Sequence, residues 1–150
     1  MELKDIVKEA VVIGESATFR EALSAMIREQ TNTLLVTGDN GELIGEVSVS
    51  DLMDAVVPEY LDGDSIASSF ATEEMFEEAV QKASDKPVSE FMNADVEAVE
   101  TDDGLMQVAA VAIAHQKARI PVVDKENRPI GIISRRGLKE LLASSLNLSS

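Results

Sequence analysis

The sequence contains no cysteine, no tryptophan and a single tyrosine, and aromatic residues make up 3% of its 150 positions. Without cysteine it can form neither a disulfide nor a thiolate metal site. The only histidine, His115, cannot build a zinc site alone, because such sites take three or four protein ligands. The chain also has no Gly-x-x-x-x-Gly-Lys phosphate loop and no Ser/His/Asp arrangement typical of hydrolases. These absences argue against an enzyme, a metal site and a catalytic cofactor.

Long apolar runs are absent as well. The longest, Val108 to Ala114, has seven residues, whereas a membrane helix needs about 20. The charged N-terminus, Met1-Glu2-Leu3-Lys4-Asp5, has no apolar segment of the kind found in signal peptides. We therefore expect a cytoplasmic protein that makes no membrane contact.

Basic residues are few and unevenly placed. The formal net charge is −15; residues 1–85 carry 5 Lys/Arg against 19 Asp/Glu, and residues 86–150 carry 8 against 9. Nucleic acid is not an expected partner, because its binding needs a basic face that neutralises phosphates. The segment 117–139 nevertheless holds seven basic residues and two acids, so a small anion can be bound in the second half.

What is present is a short stretch that occurs twice. The segment 45–51, Gly-Glu-Val-Ser-Val-Ser-Asp, joins an apolar strand to an apolar helix, and 131–137 repeats it as Gly-Ile-Ile-Ser-Arg-Arg-Gly. A helix start presents unpaired backbone N–H groups that favour an anion. In the first copy Ser48 and Ser50 can donate to a phosphate, and Asp51 can accept from sugar hydroxyls.

The repetition extends over most of the chain. With an ungapped shift of 86 residues the apolar positions, both glycines and both serines coincide, as Leu34 does with Ile120. Only the lead-in needs a one-residue slip, which sets Ile6-Val7 on Phe91-Met92. Each copy predicts β-α-β-β-α, so we expect an α+β fold with repeat 1 at 1–60, a helical connector at 61–87 and repeat 2 at 88–150. Each unit has too little core alone, so the two should pack together.

Local signals predict individual elements. Thr18 with Glu21 forms a capping box that should begin the first long helix. Residues 1–10 predict a short amphipathic lead-in helix, and Glu73 to Ala83 predicts a connector helix. The run from Val108 is apolar nearly all round, which predicts a core helix buried on all sides that also meets a partner subunit.

Together these features resemble the CBS-domain pair, or Bateman module, here as a stand-alone pair. The pattern is carried by the following segments: Ala94-Asp95-Val96, Arg119-Ile120-Pro121-Val122-Val123-Asp124, Pro129 to Ser134, Leu34-Leu35-Val36, the Asp39-Asn40-Gly41 turn and Gly45 to Asp51. The resemblance covers nearly the whole chain apart from the connector. It implies pseudo-twofold symmetry, two clefts between the repeats and frequent dimerisation. Many members bind AMP, ADP or ATP, and others bind S-adenosylmethionine, NAD or no known ligand.

The resemblance also implies which residues line the first cleft. Asp51 would hold the ribose, while Ser48 and Ser50 would donate to ribose or phosphate. From the other repeat, Arg119 and Arg136 would reach the phosphate. The full expected set, with two residues along the adenine (Val96 and Glu97), is Val47, Ser48, Ser50, Asp51, Val96, Glu97, Arg119, Ile120, Pro121 and Arg136.

The second cleft departs from this pattern. Gly137 stands where Asp51 stands in the first copy, so the ribose acceptor is missing, and Thr33 stands where Arg119 stands. Losing one charge-assisted hydrogen bond costs roughly 1.5–3 kcal/mol, or about ten- to a hundred-fold in affinity. We predict one competent nucleotide site and one degraded cleft. The residues of the degraded cleft are Val11, Thr33, Ser134 and Gly137.

The same residues have ordinary structural explanations. Ser48 and Asp51 form a capping box that satisfies helix-start N–H groups with no ligand. Arg119 and Arg136 can be surface cations in an acidic chain. His115 can serve as a cation at a helix C-terminus.

Three classes of function follow. The leading hypothesis is a regulatory module that senses an adenosine nucleotide (AMP, ADP or ATP), held as a regulatory ligand and not as a cofactor. The alternatives are a ligand-free assembly module, or one that binds S-adenosylmethionine or NAD. In each case we expect a homodimer through the repeat helices, and an unidentified enzyme or transporter as the regulated partner. An enzyme is the third class, which the absences above disfavour.

Overall fold

Two small β-sheets with helices packed against them form the fold. The computed structural model describes residues 2–57, 72–115 and 119–148. Within these ranges the chain has the α+β composition expected from the sequence. Part of the expected connector, 61–71, lies outside the described residues.

The first repeat starts with a 3-10 turn, Leu3–Asp5. Its further elements are β1 (Val7–Lys8), β2 (Val12–Gly14), α1 (Phe19–Arg28), β3 (Thr33–Thr37), β4 (Leu43–Ser48) and α2 (Val49–Val56). The capping box predicted at the start of α1 is confirmed. The Glu21 N–H donates to Thr18 Oγ1 at 3.2 Å, and the Thr18 N–H donates to Glu21 Oε1 at 3.2 Å.

The second repeat has the same order of elements after a connecting helix, α3 (Glu73–Ala83), whose predicted bounds are confirmed. A 3-10 turn at Val88–Glu90 leads in. The remaining elements are β5 (Val99–Glu100), α4 (Leu105–His115), β6 (Arg119–Val123), β7 (Pro129–Ser134) and α5 (Arg135–Ser145). The series β5 to α5 therefore reproduces the series β2 to α2.

The two repeats exchange their lead-in segments. β1 of the first repeat pairs antiparallel with β7 of the second, with Lys8 opposite Ile132, in a sheet of order β1-β7-β6-β5. The other sheet is β2-β3-β4, and Asn93 of the second lead-in forms an antiparallel bridge with Glu46 of β4. The two main chains donate to each other there at 2.8 and 3.0 Å. Lys8 corresponds to Asn93 with the one-residue slip predicted for the lead-in, which is confirmed.

The exchange also extends to the hydrophobic cores. Leu3 and Ile6 of the first lead-in are buried in the core of the second repeat. Val88 of the second lead-in is buried in the core of the first repeat, and the ring of Phe91 meets that of Phe19 edge-on, with centroids 5.8 Å apart. Burial of apolar surface is the dominant stabilising contribution to folding, so each repeat depends on the other for part of its core.

A third cluster joins the repeats between the sheets. Leu35 and Leu43 of the first repeat are buried with Val123 of the second. The turn between β6 and β7 is hydrogen-bonded to Leu43 of this cluster. The main-chain oxygen of Asn127 accepts from the Leu43 N–H at 2.8 Å. The Asn127 side-chain amide also donates to the Leu43 carbonyl at 3.2 Å.

Two expectations for local structure are wrong. The expected helix at 1–10 is replaced by a 3-10 turn at Leu3–Asp5 and a strand at Val7–Lys8. Strand β7 offers an edge that pairs with Val7 and Lys8, and such pairing overrides weak helix propensity. Helix α4 is not buried on all sides within this chain. Val108 and Val111 face the core, but Met106 is 83% exposed and Ile113 is 76% exposed, because the sheet covers only one face of the helix.

Two equivalent glycines provide the space for the exchanged segments. A Cβ atom on Gly131 would collide with the carbonyl oxygen of Lys8. A Cβ atom on Gly45 would lie 2.9 Å from the carbonyl oxygen of Asn93 and 2.8 Å from Met92 Sδ. Both contacts are closer than real Cβ atoms approach, so the close backbone approach requires glycine at both positions.

We predict that Gly131→Ala destabilises the protein by about 1–3 kcal/mol, because β1 must move away from β7. For a chain of this length that lowers the melting temperature by roughly 2–12 °C, measurable by circular dichroism. The matched control is Gly14→Ala, also in a strand, where an added Cβ meets nothing within 4 Å. Equal melting temperatures for the two variants would contradict this role of Gly131.

Candidate functional site

The start of α2 is a complete capping box. Ser48 Oγ accepts from the Asp51 N–H at 3.3 Å, and the Ser48 N–H donates to Asp51 Oδ2 at 2.8 Å. The Ser48 hydroxyl donates to the same Oδ2 at 3.0 Å. Among the described residues Oδ1 of this half-buried carboxylate accepts no hydrogen bond. Groups of the protein itself therefore complete the cap, and within the described ranges one carboxylate oxygen is left for an incoming hydroxyl.

The start of α5 has the serine but lacks the carboxylate. Ser134 Oγ accepts from the Gly137 N–H at 3.3 Å. A Cβ atom on Gly137 would lie 3.2 Å from the carbonyl oxygen of Ile6 and 3.3 Å from its Cβ. The first lead-in therefore lies against this helix start, which leaves little room for an acidic side chain there.

A pocket of about 240 Å³ lies between the repeats. One wall is the segment from Lys8, the last residue of β1, through Glu9 and Ala10 to Val11. The remaining lining residues come from both repeats and are Glu29, Thr31, Thr33, Leu35, Glu46, Arg119, Pro121, Ile132 and Ser134. The pocket thus contains three of the four residues expected in the degraded cleft and two of those expected in the first.

Arg119 is the half-buried cation of this pocket. Its Nη1 donates to Thr31 Oγ1 at 2.9 Å, across the boundary between the repeats. Within the described ranges no carboxylate forms an ion pair with this guanidinium. A guanidinium has five N–H donors, so four remain to meet an anion in the pocket.

The strand register bears on the expected grouping of Arg119 with Asp51, which stays a prediction. Arg119 is paired with Ser134 in the register of β6 and β7, just as Thr33 is paired with Ser48 in β3 and β4. The hairpin therefore places Arg119 beside the serine of its own repeat, and the described residues show no hydrogen bond or ion pair between it and Asp51. The resemblance implied that Arg119 serves the cleft of Asp51, which left the pocket of Ser134 with no expected phosphate partner.

The other residues of the expected set are dispersed. Arg136 is exposed on α5, where its Nε lies 3.4 Å from Glu140 Oε1. Ser50 and Glu97 are exposed, and Val96 packs against the cluster that joins the repeats. Two residues, Val47 and Ile120, are buried in the cores of their repeats.

Thr31 and Lys8 line the pocket, although the sequence did not indicate either of them as a site residue. Thr31 follows helix α1 in a loop, and no composition or spacing signal distinguishes it there. Lys8 was assigned to a helix, so its position beside the cleft did not follow from the pattern. Both come to the pocket through tertiary contacts, by pairing of β1 with β7 and by the bond to Arg119.

In the part of the chain that the structure describes, no group of three or more His, Asp or Glu side chains is arranged to hold a metal ion. Over the same residues, none of the helices combines the length and apolar character needed to cross a membrane.

Comparison with known proteins finds one family that matches each of the two repeats. The CBS-domain family matches residues 3–58 and 88–144. An uncharacterized protein of Methanocaldococcus jannaschii is 27% identical over 95% of this chain and 91% of its own length. A CBS-domain-containing protein of unknown function from Kribbella flavida has a similar structure, with 23% identity, a TM-score of 0.79 and coverage of 95% of this chain and 99% of that one.

A second similar structure was solved with ligands. It is a CBS domain pair in complex with 5′-methylthioadenosine and S-adenosyl-L-methionine. Its identity to this chain is 20% and the TM-score is 0.66, with coverage of 95% of this chain and 99% of that one. At this level of identity the likeness extends to the fold.

We predict that Asp51→Ala costs about 1 kcal/mol of stability, because the N–H and hydroxyl of Ser48 lose their acceptor. Thermal unfolding should show a decrease of roughly 2–4 °C. Asp54→Ala is the control, because Asp54 is an exposed acid of the same helix outside the cap. If both variants unfolded at the wild-type temperature, the capping box would contribute nothing to stability.

Proposed function

The chain belongs to the CBS-domain family as a tandem pair, and from that premise we propose that it is a regulatory module that binds an adenosine nucleotide between its repeats. The nucleotide lies in the pocket described above, with its phosphate at Arg119. The observation that carries the proposal is a half-buried guanidinium in a cavity lined by both repeats.

The walls of the pocket suit a ligand with one apolar and one polar end. Leu35 and Pro121 are buried lining residues, and Val11 and Ile132 are half-buried beside them. Such surfaces pack against the faces of a purine ring. The Ser134 hydroxyl and the Arg119 guanidinium provide donors for an oxyanion at the other end.

Size and charge favour a small nucleotide. The volume of about 240 Å³ is below the range of roughly 300–1,000 Å³ typical of pockets for drug-sized ligands. The chain carries a net charge of −15, so each further phosphate on the ligand adds repulsion. We therefore propose AMP in preference to ADP, ATP or NAD.

A similar structure supports the adenosine part of the ligand. The CBS pair solved with 5′-methylthioadenosine and S-adenosyl-L-methionine shares the fold of this chain and holds two adenosine compounds. S-adenosylmethionine is accordingly the second ligand to test here. Its carboxylate can meet Arg119 in the same way as a phosphate.

Ligand binding between the repeats provides a route to regulation. A ligand shifts a conformational equilibrium only when it binds one state more tightly than the other. A nucleotide that contacts both Val11 of the first repeat and Arg119 of the second favours the arrangement in which those walls are close together. The partner that reads this arrangement, an enzyme or a transporter, stays a prediction.

Uncovered apolar side chains favour a second candidate, an assembly role through a homodimer. Ile113 of α4 and Leu142 of α5 are 76% and 69% exposed. Helix α5 also carries three basic residues and one acid, whereas α2, with Met53 half exposed, carries two acids and no base. We propose that the helices of the second repeat meet those of the first repeat of another copy.

We predict that AMP at 100 times its dissociation constant raises the melting temperature by about 5–10 °C, since such occupancy adds about 2.7 kcal/mol of stability. Arg119→Met should weaken AMP binding about ten- to a hundred-fold in calorimetry. Arg136→Met removes the same charge from an exposed position and is the matched control. The panel contains AMP, ADP, ATP, NAD and S-adenosylmethionine.

Asp51→Ala distinguishes the two clefts in the same assay. Because the pocket of Arg119 does not include Asp51, this variant should keep the affinity of the wild type for AMP. If Asp51→Ala lost AMP binding and Arg119→Met kept it, the binding site would be the start of α2 and not the pocket of Arg119. No shift with any compound of the panel would refute nucleotide sensing.

We predict that Ile113→Glu shifts the protein from dimer to monomer in analytical ultracentrifugation, because it places a charge in the apolar contact. Gln107→Glu adds the same charge at an exposed polar position of α4 and should leave the dimer intact. A wild-type protein that sediments as a monomer at high concentration would contradict the assembly proposal.

A further inference from the structure

The contact between Thr31 and Arg119 connects the repeats at the pocket itself. Thr31 belongs to the loop after α1 of the first repeat, and Arg119 opens β6 of the second. Both residues line the pocket, and the bond between Arg119 Nη1 and Thr31 Oγ1 measures 2.9 Å. The side chain that faces the cavity is therefore held by the opposite repeat.

The Thr31 hydroxyl is oriented for this purpose by its own loop. Its proton is donated to the Thr33 carbonyl at 3.1 Å, and its oxygen accepts from the Thr33 N–H at 3.4 Å. A hydroxyl has one proton and two acceptor positions, so the remaining acceptor position is the one that Arg119 uses. The hydroxyl is thus an acceptor of fixed direction and not a freely turning group.

The loop that carries Thr31 is itself fixed. The carbonyl of Asn32, the next residue, accepts from the Val49 N–H at the start of α2 at 3.1 Å. Directly after Asn32 the main chain enters β3 at Thr33 and pairs with β4. The Thr31 hydroxyl oxygen is therefore fixed relative to β3, β4 and α2 of the first repeat.

We propose that Thr31 is a positioning residue, which holds Arg119 in the orientation that meets the anionic group of the ligand. An unanchored arginine side chain samples many rotamers, and ordering it upon binding reduces affinity. Thr31 takes one N–H and orders the guanidinium beforehand, while four N–H groups stay available. This inference rests on the proposed nucleotide function and adds its dependence on the first repeat.

The arrangement has a consequence for regulation. Thr31 supports Arg119 only while the two repeats keep their relative positions. Affinity for an anionic ligand is then coupled to the arrangement of the repeats, and by reciprocity the bound ligand stabilises that arrangement.

The test is a double-mutant cycle measured by calorimetry with AMP as the probe. Thr31→Val keeps the shape of the side chain and removes the hydroxyl, and it should weaken AMP binding about two- to ten-fold. Thr31→Ser restores the hydroxyl and should restore wild-type affinity. In the background of Arg119→Met, Thr31→Val should have no further effect. Thr37→Val is the control, since its hydroxyl bonds Ile13 outside the pocket.

Adenosine is the matching ligand control, because it has no anionic group for Arg119 to meet. Thr31→Val should leave its affinity unchanged. An equal loss for adenosine and AMP, a loss that persists without Arg119, or unchanged AMP affinity in Thr31→Val would each overturn the positioning role.

A ligand-free cycle separates this inference from the proposed function. Melting temperatures of Thr31→Val, Arg119→Met and the double variant should be non-additive, because both single changes break one bond. Additive shifts would show that the bond is absent in solution and overturn the inference. If the wild type bound no compound of the panel, the proposed function would fail, while this cycle would still decide whether Thr31 holds Arg119.

Discussion

Exchange of the two lead-in segments is the constraint on which the rest of the structure depends. β1 completes the sheet of the second repeat, and Asn93 extends the sheet of the first. The apolar residues around both segments enter the core of the opposite repeat. Neither repeat therefore has a complete sheet edge or a complete core by itself, and the pocket between the repeats is lined by the end of β1 and the residues that follow it.

The two helix starts differ at an equivalent position, which is Asp51 in α2 and Gly137 in α5. In the first repeat the carboxylate of Asp51 closes a cap at the start of α2. In the second, the lead-in residue Ile6 lies against Gly137, which leaves little room for an acid there. The pocket beside Ser134 instead has Arg119, an anion partner that the first repeat lacks at Thr33. One helix start therefore carries a carboxylate acceptor, and the other has a guanidinium donor beside it.

The fold could be predicted from the sequence because the same pattern of residues occurs in both repeats. The apolar spacing, the glycines and the serines at the helix starts agree between copies, and agreement at a fixed shift predicts the same order of elements in both repeats. The strand in the first lead-in could not be predicted in this way. A two-residue strand such as Val7–Lys8 has no periodicity of its own and forms only when β7 is present. Likewise the apolar run of α4 indicated burial, but a sheet covers one side of a helix and leaves Ile113 outside.

The site was predictable in part. The sequence singled out serine, aspartate and arginine at helix and strand starts, and of these Ser134 and Arg119 line the pocket. Their grouping was not predictable, since it depends on the strand register that seats Arg119 beside Ser134 and on the loop that brings Thr31 to it. Neither contact leaves a trace in spacing along the chain, because Thr31 and Arg119 are 88 residues apart.

A crystal structure of the wild-type chain soaked with AMP tests the central claim most directly. The account predicts electron density for the nucleotide between Val11 and Arg119, with the phosphate on the guanidinium and the bond from Arg119 to Thr31 intact. Nucleotide density confined to the start of α2, away from Arg119, would contradict it.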